Sequence, residues 1–194
     1  MEHPNERAAG RPRTIDPGRV SLVALRLFDE QGFDAVSMDD VAAAAGVSRR
    51  SLFRLFPSKA ALVWDGLEES LERFRAALTE SAEEDPVWEV IRRAFEASAA
   101  IPAESIEVTR HRLRVIRANP SLAQLGAPTI GTMTDAAALF AAERTHARPD
   151  DFSIVVRVHV LAAAVDASVV WWALHGGEET PRSVAGRALR EIAI

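Results

Sequence analysis

The sequence contains no cysteine, so disulfides, thiolate metal sites and cysteine nucleophiles are excluded, and a reducing cytoplasm is the natural expectation. It also lacks a paired-histidine zinc motif, a nucleophile elbow, a Walker loop and a glycine-rich dinucleotide turn. Its five histidines are dispersed. Glu107 and His111 share a helical face, but as a lone pair they read as a surface hydrogen bond. No catalytic residue, metal site or required cofactor is expected, and the chain is not read as an enzyme. The N-terminus has no apolar signal-peptide core. The most apolar stretch, 154–174, is interrupted by Arg157, His159 and Asp166, which argues against a lipid-spanning helix and for a soluble protein.

An overall excess of positive charge is also missing, since the net charge is −5. Division of the chain changes this picture. Residues 1–60 carry nine basic and eight acidic side chains, net +1, and the remainder fourteen and twenty, net −6. The early basic residues cluster at Arg7, Arg11 and Arg13 and again at Arg49, Arg50, Arg54 and Lys59, so a nucleic-acid partner stays open.

No segment alternates as a strand does, and helical punctuation dominates. Residues 1–14 read as a flexible basic arm. Asp16 caps a first helix with Pro17 at its first position and Val20, Val23, Ala24, Leu27 and Phe28 on its buried face, ended by Gly32. Ser37 and Asp40 resemble a capping box that opens a second helix, which Gly46 stops. Ser48 caps a third, from Arg49 to about Phe56, closed by Pro57. Ser58 caps a longer fourth helix through Val63, Leu67, Leu71, Phe74 and Leu78. Five more are expected at 87–101, 103–118, 129–146, 150–175 and 181–193, punctuated by prolines. The fold class is therefore all-α with about nine helices, divided into an arm (1–14), a three-helix head (15–60) and a helical body (61–194).

Two short helices joined by a glycine turn and supported by a third form the unit that sets one helix into the major groove of DNA. Burial of Val41, Ala42, Ala45, Val47 and Leu52 against Leu27 and Phe28 leaves Arg49, Arg50, Ser51 and Arg54 facing outward. Arginine suits base reading because its planar fork donates two hydrogen bonds to one guanine edge. Gly10-Arg11-Pro12-Arg13 suits an arm entering the minor groove.

The stretch from Ala24-Leu25-Arg26-Leu27-Phe28 through Gly32-Phe33, Ser37-Met38-Asp39-Asp40-Val41-Ala42, Ala45-Gly46-Val47-Ser48, Leu52-Phe53, Phe56 and Lys59 resembles the TetR-family DNA-binding signature. The resemblance implies a homodimeric cytoplasmic repressor on double-stranded operator DNA, released by a small-molecule effector. By position it implies base contacts from Arg49, Arg50, Ser51 and Arg54, with Ser37 and Lys59 on phosphates and Ser48 and Phe53 in the same interface. Phe53 and Leu55 depart from the family pattern of tyrosine followed two residues later by histidine or tyrosine, which removes two phosphate hydrogen bonds that Arg54 would replace. The run Phe53-Arg54-Leu55-Phe56-Pro57-Ser58-Lys59 with Leu62-Val63-Trp64 is similar to the mycofactocin-system regulators, which implies an acyl coenzyme A as effector.

In the body, Trp88, Phe95, Phe140 and Trp171 supply apolar surface for a ligand, and His111, His159 and Asp166 are polar groups within apolar faces. Pairing of Asp166 with Arg112 or Arg157 is the alternative for that carboxylate. The last two helices have the length and apolar content to form a four-helix seam with a second subunit, so a pseudo-palindromic operator is expected. A helical ligand-binding protein without operator binding is the rival reading.

Overall fold

In the computed structural model the described residues are 15–192, without the side chains of 126–128. Arg11, Arg13 and the rest of the arm lie outside them, as does residue 193, the expected end of the last helix. Ten helices follow in order: α1 Pro17–Gln31, α2 Met38–Ala45, α3 Arg49–Leu55, α4 Lys59–Trp64, α5 Leu67–Thr79, α6 Val87–Ser98, then a 3₁₀ turn Ala103–Ser105, α7 Ile106–Ala118, α8 Pro120–Thr145, α9 Phe152–His175 and α10 Pro181–Glu191. The described residues contain no strand.

The helix starts in the head follow from local chemistry. Asp16 Oδ1 accepts from the backbone N–H of Gly18 and Arg19, with Pro17 in the first turn. Ser37 and Asp40 form a complete capping box, and the hydrogen bonds from Ser37 hold the Asp40 carboxyl below its usual pKa. Ser48 and Ser58 accept from Ser51 and Ala61. Gly46 ends α2 at φ +66°, a left-handed conformation that glycine adopts without a Cβ clash.

Two expectations about the elements are corrected. The fourth helix is not continuous: it breaks into α4 and α5 at Asp65 and at Gly66, whose φ is +86°. The apolar spacing runs straight across this break, so periodicity alone does not reveal it. Tertiary bonds mark it instead, with Ser21 Oγ donating to Asp65 Oδ2 at 2.9 Å and Arg112 Nε to the Val63 carbonyl at 2.7 Å. The long helix before α9 starts at Pro120, not at 129, because a proline in the first turn begins a helix as readily as it ends one. The α1 register also shifts. Val20, Ser21, Ala24, Leu25 and Phe28 are fully buried and Leu27 only partly, with the buried Ser21 hydroxyl satisfied by Asp65.

Three apolar clusters hold the helices together. The first joins Val20, Leu25, Phe28, Val41, Leu52, Phe56, Leu62 and Val63 and is closed by Val115 of α7 and Leu122 of α8. The second packs α5, α6, α8, α9 and α10 around Phe74, Ile91, Phe95, Ala137, Val158 and Leu189. A third holds Trp172, Ala173 and Val184, with Ile106 and Leu113 of α7 against it. By length and composition α9 is apolar enough to cross a membrane, and 28% of its most apolar window is buried inside the fold. Its outward side exposes Phe152, Val155, Val156, Val160, Trp171 and Leu174.

A Cβ at Gly66 would lie 3.0 Å from Glu69 Oε2, on a backbone that L-residues rarely adopt. Gly66→Ala is expected to lower the unfolding free energy by about 1–2 kcal/mol. Gly131→Ala, in the interior of α8 with nothing near its Cβ position, should raise it by about 0.5–1 kcal/mol. Urea denaturation of the two variants distinguishes the effects.

Candidate nucleic-acid interface and its link to the body

Residue order around α3 decides what the head presents. At about 100° per residue, Leu52 and Phe56 turn inward and are buried, while Arg49, Phe53, Arg50 and Arg54 follow one another across the exposed arc. Arg49 stands at one edge, where its guanidinium pairs with Asp39 of α2 at 3.0 Å and lies 5.5 Å from the centre of the Phe53 ring. Neither Arg50 nor Arg54 makes an ion pair or side-chain hydrogen bond among the described residues, so both are free to meet an anion or a base edge. Ser51 is half-buried at the side, and its hydroxyl accepts from Ser48 Oγ at 2.9 Å.

The two residues assigned to phosphates differ in their freedom. Ser37 is bound up in the exposed capping box. Lys59 donates to the carbonyls of Phe33 and Val36 at 2.6 and 2.9 Å and sits 4.4 Å from the Phe33 ring centre. Its ammonium ties the loop before α2 to α4, which leaves one of its three donors for a phosphate.

The head is joined to the body by polar contacts on α7. Arg26 of α1 pairs with Glu107, and that bond holds the Glu107 carboxyl below its usual pKa. Asp29 of α1 accepts from Arg114 at 3.3 Å and meets His111 Nδ1 at 2.8 Å. The Arg112 guanidinium, with its pKa lowered by burial and supported by Asp65 and Glu69, donates to the end of α4. Trp64 Nε1 donates to the Leu122 carbonyl at 3.1 Å. On the other side of α7, Arg114 Nε donates to the Ala173 carbonyl of α9 at 3.3 Å, and the Arg110 guanidinium lies 4.7 Å from the Trp172 ring centre. One helix thus contacts α1, α4 and α9.

Sequence reasoning passed over Arg26, Asp29, Asp39, Arg112 and Arg114 as parts of this arrangement. Their partners, Asp39 and Arg49 apart, are tens of residues away and leave no local signal. The Glu107–His111 pair was visible, but its function as an inter-helix contact was not.

The seven residues nominated for a ligand do not converge on one pocket. Trp88 lies under Arg157, 5.0 Å from guanidinium to ring centre. Phe95 is core, 4.9 Å from Phe74. His111 faces Asp29, and Phe140 faces Arg144 at 4.9 Å. Trp171 is 44% exposed, between His175 at 4.8 Å and Arg187 at 5.9 Å, and its neighbour Trp172 is the buried one. Only His159 lines the groove of about 450 Å³ between α8 and α9, beside Asp135 and Asp150. Asp166 pairs with neither Arg112 nor Arg157; it stands on the exposed side of α9, where partial desolvation raises its carboxyl pKa. No group of histidines and carboxylates able to hold a metal occurs among the described residues.

Comparison with known proteins agrees with this architecture. Residues 22–64 match the family described as bacterial regulatory proteins, tetR family, and residues 85–193 match the MftR C-terminal domain. The mycofactocin biosynthesis transcriptional regulator MftR of Mycobacterium tuberculosis is 32% identical over 149 residues, 77% of this chain and 75% of its own. The HTH-type transcriptional repressor BdcR of Escherichia coli is 34% identical over 48% of each chain. In fold, the chain is similar to the TetR-family repressor FadR of Thermus thermophilus, solved in complex with lauroyl-CoA, with a TM-score of 0.57, 24% identity and coverage of 90% and 92% of the two chains. The match across more than half the chain and the identity to a relative along most of its length assign this protein to the TetR family of DNA-binding transcription regulators, with an MftR-type C-terminal domain.

Proposed function

We propose that the protein is a homodimeric, cytoplasmic repressor that holds a pseudo-palindromic operator through α3 and leaves it when an amphipathic effector occupies the body. The observation that carries this reading is the exposed arc of α3, where, among the described residues, Arg49 pairs with Asp39 and neither Arg50 nor Arg54 has an ion-pair partner. A merely solvated helix has no need of cations left free at its centre, whereas base edges and phosphates do.

The exposed apolar side of α9, with Phe152 84% exposed, supports a second copy as its cover. A helix that exposes this many large apolar side chains marks an interface, and a two-fold axis presents two α3 helices to successive major grooves. The other helix assigned to the seam, α10, turns Arg182, Arg187 and Arg190 outward, so α9 supplies the apolar contact and α10 a charged rim.

An acyl coenzyme A is the effector class to try first. The FadR neighbour solved with lauroyl-CoA supports the choice. Release then runs through α7, whose contacts with α1 and α9 let a shift of the body move the head.

Selection of duplexes from a random pool at two salt concentrations should yield a pseudo-palindrome, bound less tightly at the higher salt. Arg50→Ala should weaken it by roughly five- to a hundredfold per half-site, the worth of one bidentate base contact. Weak, unselective binding even at low salt favours the rival, a ligand-binding protein without an operator. Because the chain has no native cysteine, Ala163→Cys, on the exposed side of α9, provides a clean dimer test: oxidation should give a covalent dimer if α9 meets its own copy. Asp29→Ala, which removes the partner of His111 and Arg114, should leave operator binding in place while shrinking the release caused by lauroyl-CoA in a fluorescence-anisotropy titration. Equal release in both proteins would count against α7 as the route.

A further inference from the structure

Phe53 has no structural reason to be an aromatic residue. It is 37% exposed and belongs neither to the buried set of the head core nor to the partly buried residues packed against it, although Leu52, Leu55 and Phe56 on either side all do. Its ring cannot hydrogen-bond a phosphate. It nevertheless occupies the middle of the α3 arc, between Arg49 and Arg50, on the helix that supplies base contacts in this class of domain. Its orientation is fixed from one side: Arg49 lies over the ring at 5.5 Å and is itself held by Asp39 at 3.0 Å. The pair Asp39–Arg49 thus positions an apolar surface on an otherwise cationic face.

Base edges in the major groove carry hydrogen-bond donors and acceptors with one apolar exception, the C5-methyl group of thymine. We propose that Phe53 is a specificity residue that packs on a thymine methyl in each half-site, beside a guanine read by Arg50. Three residues of helical rise, about 4.5 Å, separate Arg50 from Phe53, and base pairs stack at about 3.4 Å, so the two side chains address neighbouring base pairs. The half-site therefore contains a G·C pair next to a T·A pair. The inference rests on the operator-binding reading and adds to it the chemistry of one base.

The test replaces thymine by uracil, position by position, in the selected operator, a change that removes only the methyl group. At the Phe53 position the wild-type protein should bind the uracil duplex about fourfold more weakly per half-site, the worth of one buried methyl, or about fifteenfold for a symmetric pair. Phe53→Ala should bind the thymine operator with the same loss and no longer distinguish the two duplexes, with an unchanged melting temperature because the ring is outside the core. Phe53→Tyr, which keeps the ring, should retain the discrimination. Arg50→Ala should weaken both duplexes equally. The proposal is overturned if uracil is neutral at every thymine, or if Phe53→Ala still prefers thymine. Failure to select any operator would overturn the DNA-binding reading together with it, whereas an operator blind to uracil overturns the methyl contact alone.

Discussion

Two of the three apolar clusters are served by one helix, and the architecture depends on that sharing. α7 gives Val115 to the head cluster and Leu113 to the cluster around Trp172. Its polar side chains are spent on neighbours in a similar way: His111 and Arg114 on Asp29 of α1, Arg112 on the end of α4, and Arg114 again on α9. A helix so committed cannot shift without altering contacts to the head and to the body together. This gives a physical meaning to coupling between an effector and an operator: two sites bias one element with more than one packed arrangement.

The strength of these ties is uneven in a useful way. Asp29 and His111 are mostly shielded from solvent, with side-chain exposures of 22% and 17%, so their contact is little screened by salt. The Arg26–Glu107 pair beside it is about half exposed and contributes little. The polar tie between α1 and α7 is therefore centred on one well-shielded contact with a weak one beside it, while Val115 and Leu122 hold the head cluster by apolar packing.

The parts of the fold that were legible in the sequence are those written locally. Asp16, Ser37 with Asp40, Ser48 and Ser58 cap the helices that their own neighbours form, so a single chain suffices to find them. The break at Gly66 was not legible, because Val63, Leu67 and Leu71 keep the helical period through it and the backbone turn depends on bonds from Ser21 and Arg112. The start of α8 was obscured because proline marks both ends of helices. Periodicity identified Phe95 and Trp88 as inward-facing without naming their neighbours, and a pocket is a property of neighbours. In the head, the outward arc of Arg49, Arg50 and Arg54 on α3 is legible from helical spacing, but the engagement of Arg49 by Asp39 is not, because it depends on how α2 packs beside α3.

The uncovered side of α9 has a consequence for how such a protein persists in a cell. When an apolar face is completed only by a second copy, mass action links folding to abundance: stability rises with the logarithm of protein concentration. Dilution then acts as a mild denaturant, and regulators held at low copy number need tight association to remain folded. If α9 is the seam between two copies, the extent of its cover sets the lowest abundance at which the regulator endures.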